Sequence, residues 1–166
     1  MAPVAAWAQS LTVVGPDGKE TVLDASRLAT LPRAEARLGS GDKAKTYEGP
    51  TLTAVLREAG VATGPKLHGK PLVAYVVVTG SDGYRAVLSI AETDAWIAGE
   101  GAVILADKRT DGPLELKEGT LRLVVGSDRR PERSVRMVTR VEVRPLDCAG
   151  RPGLTPGRPD GLSRAA

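Results

Sequence analysis

The chain has no phenylalanine, and its 166 residues include only two tryptophans and three tyrosines. Its core must therefore be built from Val, Leu, Ile and Ala. There is one cysteine, Cys148, and one histidine, His68. A single cysteine closes no internal disulfide, and no second His or Cys stands at a metal-ligand spacing. A serine hydrolase needs a histidine beside its nucleophile. His68, in Leu67-His68-Gly69-Lys70-Pro71, has no recognisable serine partner motif and reads as a surface-loop residue. Gly99-Glu100-Gly101 lacks the pattern of a phosphate-binding loop. No apolar run reaches the roughly 18 residues of a membrane-crossing helix. The net charge is only +3, which does not call for nucleic acid as a partner.

What is present describes a globular body. Hydrophobic residues make up 42% and charged residues 26%, in a length that suits one domain with a real core. Residues 1–10 read MAPVAAWAQS, where Ala6-Trp7-Ala8 before Gln9 has the small-x-small form of a secretory cleavage site. Residues 1–8 thus read as a signal-peptide remnant and the protein as periplasmic or secreted, against the plainer alternative of an Ala-rich frayed terminus. Residues 9–146 form the expected domain. From Asp147 the chain is Gly, Pro and Arg with little to bury, so residues 147–166 read as a disordered tail.

The centre of the chain is LVAYVVVTGSDGYRAVLSI, Leu72 to Ile90. Leu72 to Thr79 reads as a strand buried on both faces. Gly80-Ser81-Asp82-Gly83 is a turn. Tyr84 to Ile90 alternates as a half-buried strand, with Tyr84, Ala86, Leu88 and Ile90 on one side. Upstream, Ser10–Val14 and Glu20–Leu23 flank the turn Gly15-Pro16-Asp17-Gly18. Asp24 or Ser26 can cap a short helix that ends before Leu31-Pro32. Glu35–Leu38 reads as a strand and Lys43–Glu48 as an edge strand. Thr51 or Thr53 caps the clearest helix, with Leu52, Val55 and Leu56 as its stripe and Gly60 as its end. Downstream come a short helix over Ala91–Trp96, a buried strand over Ala102–Ala106 and a turn over Asp111–Leu114. An apolar strand over Thr120–Val125 leads into a basic loop over Gly126–Arg133. A long alternating strand over Val135–Arg144 closes the domain.

Four pieces, in this order, resemble the molybdopterin-binding domain of the sulfite oxidase family of oxidoreductases. They are Tyr47-Glu48-Gly49-Pro50-Thr51-Leu52 running on to Leu56-Arg57-Glu58-Ala59-Gly60; Ser81-Asp82-Gly83-Tyr84; Leu105-Ala106-Asp107 with Asp111-Gly112-Pro113-Leu114; and Gly119 to Val125 with Val135-Arg136-Met137-Val138 and Val141-Glu142-Val143. They cover residues 10 to 146. The resemblance implies an α+β fold of mixed sheets with a few short helices. It also implies a molybdopterin cofactor and a redox or membrane-protein partner.

One departure stands against catalysis. In catalytic members a cysteine thiolate, lying before the aromatic-x-Gly motif, binds molybdenum. The matching window, Arg33 to Tyr47, contains no cysteine, and the Ser40 hydroxyl is a poor substitute for that soft ligand. Cys148 lies past the last strand, either as an inert thiol or as one that pairs with another chain. The expectation is therefore a non-catalytic short form that binds a pterin or another anionic small molecule, without molybdenum. The alternative is an active periplasmic molybdopterin-dependent oxidoreductase. Arg129, Arg130, Arg133 and Arg136 are the candidate cofactor-binding cations, because arginine forks suit the phosphate that the pterin carries. A solvated loop balanced by Asp128 and Glu132 is the other reading of the same run. Asp82 and Tyr84 are candidates beside it, with the alternative that Asp82 only holds its turn and Tyr84 plugs the core.

Overall fold

The turn Gly15-Pro16-Asp17-Gly18 folds β1 (Ser10–Val14) back on β2 (Glu20–Asp24), with Gly15 N donating to Lys19 O at 2.9 Å. This is a computed structural model, and it describes residues 9–99 and 101–146. The proposed signal remnant, the tail and Cys148 lie outside the described residues.

Asp24 caps α1 (Ala25–Thr30), its carboxylate accepting from Arg27 N at 2.8 Å. Then β3 (Arg33–Leu38) pairs antiparallel with β4 (Lys45–Pro50). Thr51 caps α2 (Leu52–Glu58), which buries Leu52, Val55 and Leu56 as its stripe requires. Gly60, at φ +74°, lets Val61 N reach back to Leu56 O and closes the helix. The central hairpin is β5 (Ala74–Gly80) and β6 (Arg85–Ser89). It is followed by α3 (Ile90–Thr93) and α4 (Ala95–Ala98), then by β7 (Val103–Ala106), β8 (Lys108–Arg109) and β9 (Gly112–Pro113). The last strands are β10 (Arg122–Val125) and β11 (Val138–Pro145).

These strands make three layers. A five-stranded sheet runs β2-β1-β11-β5-β6, a four-stranded sheet runs β3-β4-β8-β9, and β7 pairs with β10 between them. The middle pair is buried on both faces, so its alternate residues serve two cores. Val103, Leu105, Leu123 and Val125 join the large core with α2 and the five-stranded sheet. Ile104, Ala106 and Val124 join a smaller core with Ala36, Leu38 and Tyr47. The layers approach closely at Gly49, where a Cβ would lie 2.2 Å from Leu105 O.

The structure corrects several boundaries. Strand β5 begins at Ala74, because Pro71 starts a 3-10 turn over Lys70–Leu72 and leaves Leu72 and Val73 exposed. Its Tyr75 and Thr79 are only partly buried, so the strand is not covered throughout on both faces. The segment read as an edge, β4, is interior: β8 pairs along its far side. A two-residue strand has no periodicity to reveal itself, and the supposed turn over Asp111–Leu114 hides β9. The helix expected over Ala91–Trp96 is two separate turns, the first capped by Ser89 and the second by Asp94. The expected alternation of Val135–Arg144 breaks at a bulge between Val138 and Arg140. Val138 turns inward and Thr139 faces solvent, the reverse of a regular strand through Val135.

Candidate functional site

Two grooves meet along Lys117, Pro131 and Arg136. The first, of about 360 Å³, lies between the Asp82-Gly83-Tyr84 turn and the segment from Pro131 to Met137. Tyr84 joins its walls directly, its hydroxyl donating to Glu132 O at 2.5 Å. Met137 sits at φ +48°, an uncommon conformation for a residue with a side chain. Backbone bonds hold it on both sides: Met137 N donates to Glu118 O, and Ser81 N donates to Met137 O. A Cβ at Gly119 would come within 2.6 Å of Met137 Cγ, so glycine permits this close approach.

The second groove, of about 330 Å³, is bordered by Leu38 and Gly39 at the end of β3, and by Lys43, Lys45 and Glu115. Its floor is a buried polar network in the small core. Tyr47 Oη donates to Glu118 Oε1 at 2.7 Å, and Arg122 Nη1 donates to Glu118 Oε1 and, at 3.1 Å, to Tyr47 Oη. Arg122 Nε donates to Ser134 Oγ at 2.9 Å, and Ser134 Oγ donates to Leu123 O. The guanidinium carbon lies 5.2 Å from the centre of the Tyr47 ring. Burial, then the hydrogen bond with Glu118, pushes the Tyr47 pKa up to about 12. Burial works to raise the Glu118 pKa, but the hydrogen bonds it accepts from Glu115 N, Tyr47 and Arg122 hold it below the usual carboxylate value. Glu115 receives Lys117, Lys45 and Arg109, and hydrogen bonds from these cations hold its pKa at about 2.

Charge divides the two grooves. Lys43, Lys45, Lys117, Arg122 and Arg136 line the second, against the carboxylates Glu115 and Glu118. The first is balanced, with Lys117 and Arg136 against Asp82 and Glu132. An anion is therefore favoured in the second groove, and its neighbour offers carboxylates that accept N–H donors.

Of the residues singled out in the sequence, Asp82, Tyr84 and Arg136 line the first groove, and Arg136 also reaches the second. Asp82 does hold its turn, accepting from Tyr84 N at 3.0 Å. Tyr84 is half exposed and does not plug the core. Arg129 and Arg130 are exposed beside a separate shallow depression. Arg133 is forked onto Asp128 at 2.6 and 3.0 Å and bonded to Glu92 at 2.5 Å; the Asp128 bond foremost raises its already high pKa. His68 and Ser40 are exposed. Among the described residues no three His, Cys, Asp or Glu side chains gather to hold a metal.

Sequence reasoning missed Lys43, Lys45, Glu115, Lys117, Glu118 and the role of Arg122. The sequence carries a signal for three of them. Arg122 is a charge inside the apolar run Leu121–Val125, and Lys43 and Lys45 are cations within the cysteine-free window Arg33 to Tyr47.

No family model matches the chain, and no curated protein matches it. Among solved structures it is similar to the crystal structure of the sulfane dehydrogenase SoxCD from Paracoccus pantotrophus. The TM-score is 0.61 at 18% identity, over 82% of this chain and 38% of that one. The α+β fold expected from the sequence, mixed sheets with a few short helices, is thus shared with a solved oxidoreductase. The chain spans about two-fifths of that protein's length, 38%.

Proposed function

We propose that the protein is a molybdopterin-binding-domain protein of the sulfite oxidase type that works without a molybdenum–thiolate bond, binding an anionic cofactor or partner in the paired grooves. One observation carries this reading. The second groove is bordered by Leu38 and Gly39, inside the window where the resemblance places the thiolate, and it offers lysines and arginines there but no thiol. The donor set therefore does not suit a soft metal, whereas it does suit a phosphate.

A pterin phosphate would supply an anionic end and a flat heterocycle. The residues of the chain would do the rest. Lys43, Lys45, Lys117 and Arg136 hold the anion, with Arg122 fixed beneath them by Glu118 and Ser134. Asp82 and Glu132, on the first groove, accept ring N–H groups. Arg129 and Arg130, outside both grooves, serve the approach of an acidic partner, which for this fold would be a redox or membrane protein. Export to the periplasm, through a leader ending near Ala8, belongs to the same proposal. A catalytic molybdopterin-dependent oxidoreductase is the second reading, favoured by the fold shared with the sulfane dehydrogenase.

The test is elemental and pterin analysis of protein made in a host that synthesises molybdopterin, joined to phosphate titrations. Well below one molybdenum per chain is expected, with phosphate binding that weakens as salt rises. About one molybdenum per chain, with turnover of sulfite or a sulfoxide, would establish the second reading instead.

A further inference from the structure

We propose that Arg133 is a positioning residue, the fastener of a strap over residues 126–134, and that it does not itself bind the anion. This rests on the reading of the grooves as an anion site. The strap leaves β10 at Gly126, turns at Pro131–Arg133 and passes beside β6. Two contacts tie it to the central hairpin and to α3: Tyr84 Oη to Glu132 O, and Arg133 Nη1 to Glu92 Oε1. A third ties it to itself, Arg133 to both oxygens of Asp128.

Each guanidinium nitrogen of Arg133 thus donates to a carboxylate, and Asp128 and Glu92 together offset its positive charge, so its attraction for a phosphate is already spent. The next residue, Ser134, is the hydroxyl that holds Arg122 Nε at the floor of the cationic groove. Pro131 stands on the wall between the two grooves. A chain of fixed contacts therefore runs from Glu92 through Arg133 to Ser134 and Arg122. Bidentate guanidinium–carboxylate pairs fix geometry as well as charge, which suits them to fastening.

The experiment uses the sign of a charge change. Glu92→Gln removes the negative charge that pairs with Arg133. By field alone it tightens anion binding. Glutamine keeps the capping box with Ser89, so α3 survives. If Arg133 is a fastener, Glu92→Gln weakens binding of inorganic phosphate, and Arg133→Ala weakens it by roughly tenfold, within the range that indirect coupling carries. Arg129→Ala, the loss of an exposed cation on the same strap, sets the size of the pure field effect. Tighter or unchanged binding in Glu92→Gln, with weakening in Arg133→Ala, would make Arg133 a direct anion contact and overturn the proposal. A second measurement needs no ligand. Amide hydrogen exchange over residues 126–134 should speed up in Glu92→Gln and Arg133→Ala while β5 and β11 keep their protection. Unchanged exchange sinks the strap. Faster exchange in a protein that binds no phosphate leaves the strap standing and removes the anion site.

Discussion

Arg122 is the residue on which the small core turns. Its side chain and that of Glu118 are almost wholly enclosed, at 9% and 2% exposure. Removing one member of such a pair leaves an uncompensated charge in a dry place. Arg122→Met should therefore cost about 3–5 kcal/mol in urea unfolding, whereas Glu118→Leu with Arg122→Met should cost much less than the sum. Tyr47 gives a pH signature. Its pKa rises from the usual 10.0 to about 12 in the folded state. The neutral phenol is thus favoured by folding, so this stabilisation is full below pH 10 and is lost as pH climbs through about 12. Urea stability should fall over that interval, and fall less steeply in Tyr47→Phe. At this scale the sequence disclosed residue types but not their pairing. The run of arginines after Gly126 was plain to read. That Arg133 faces Asp128 and Glu92, while Arg136 faces the grooves, depends on a turn at Pro131 that no periodicity predicts.

The elements with a complete local signal were legible. The β1–β2 hairpin has its Pro and Asp-Gly turn, α2 its Thr51 cap and Gly60 stop, and β6 its strict alternation. The elements that were misread take their identity from distant partners. Strand β4 became interior through the two-residue β8, and β11 changed phase at a bulge opposite Gly80 and Thr79. Gly49 shows how tight such an arrangement is. Its missing side chain leaves room for the backbone of β7, which has no freedom to retreat from between two sheets. Gly49→Ala should therefore lower stability by about 2 kcal/mol or more, read as a fall in melting temperature. Gly18→Ala provides the contrast, since nothing lies within 4 Å of a Cβ there and only its φ of +79° is strained.

For the whole molecule, a net charge of +3 said little, because the relevant surplus is local to one groove. Lys117 stands where both grooves join, so Lys117→Gln should weaken phosphate binding by about threefold at low salt, shrinking as ionic strength rises, as isothermal titration would read. The α+β class and most strand positions could be read from the chain, but the three-layer stacking could not, because it depends on which faces of β7 and β10 meet which sheet. The order β2-β1-β11-β5-β6 also governs how the chain acquires its shape. The middle strand of the large sheet is the last of that sheet's five to be made, and it pairs parallel with β1 and antiparallel with β5. While the ribosome is still adding residues before Val138, the β1–β2 and β5–β6 hairpins have no strand to join them. The sheet can close only once Val138–Pro145 has been made, by contacts between strands far apart in sequence, which slows folding and leaves two unpaired strand edges exposed to other chains in the interval.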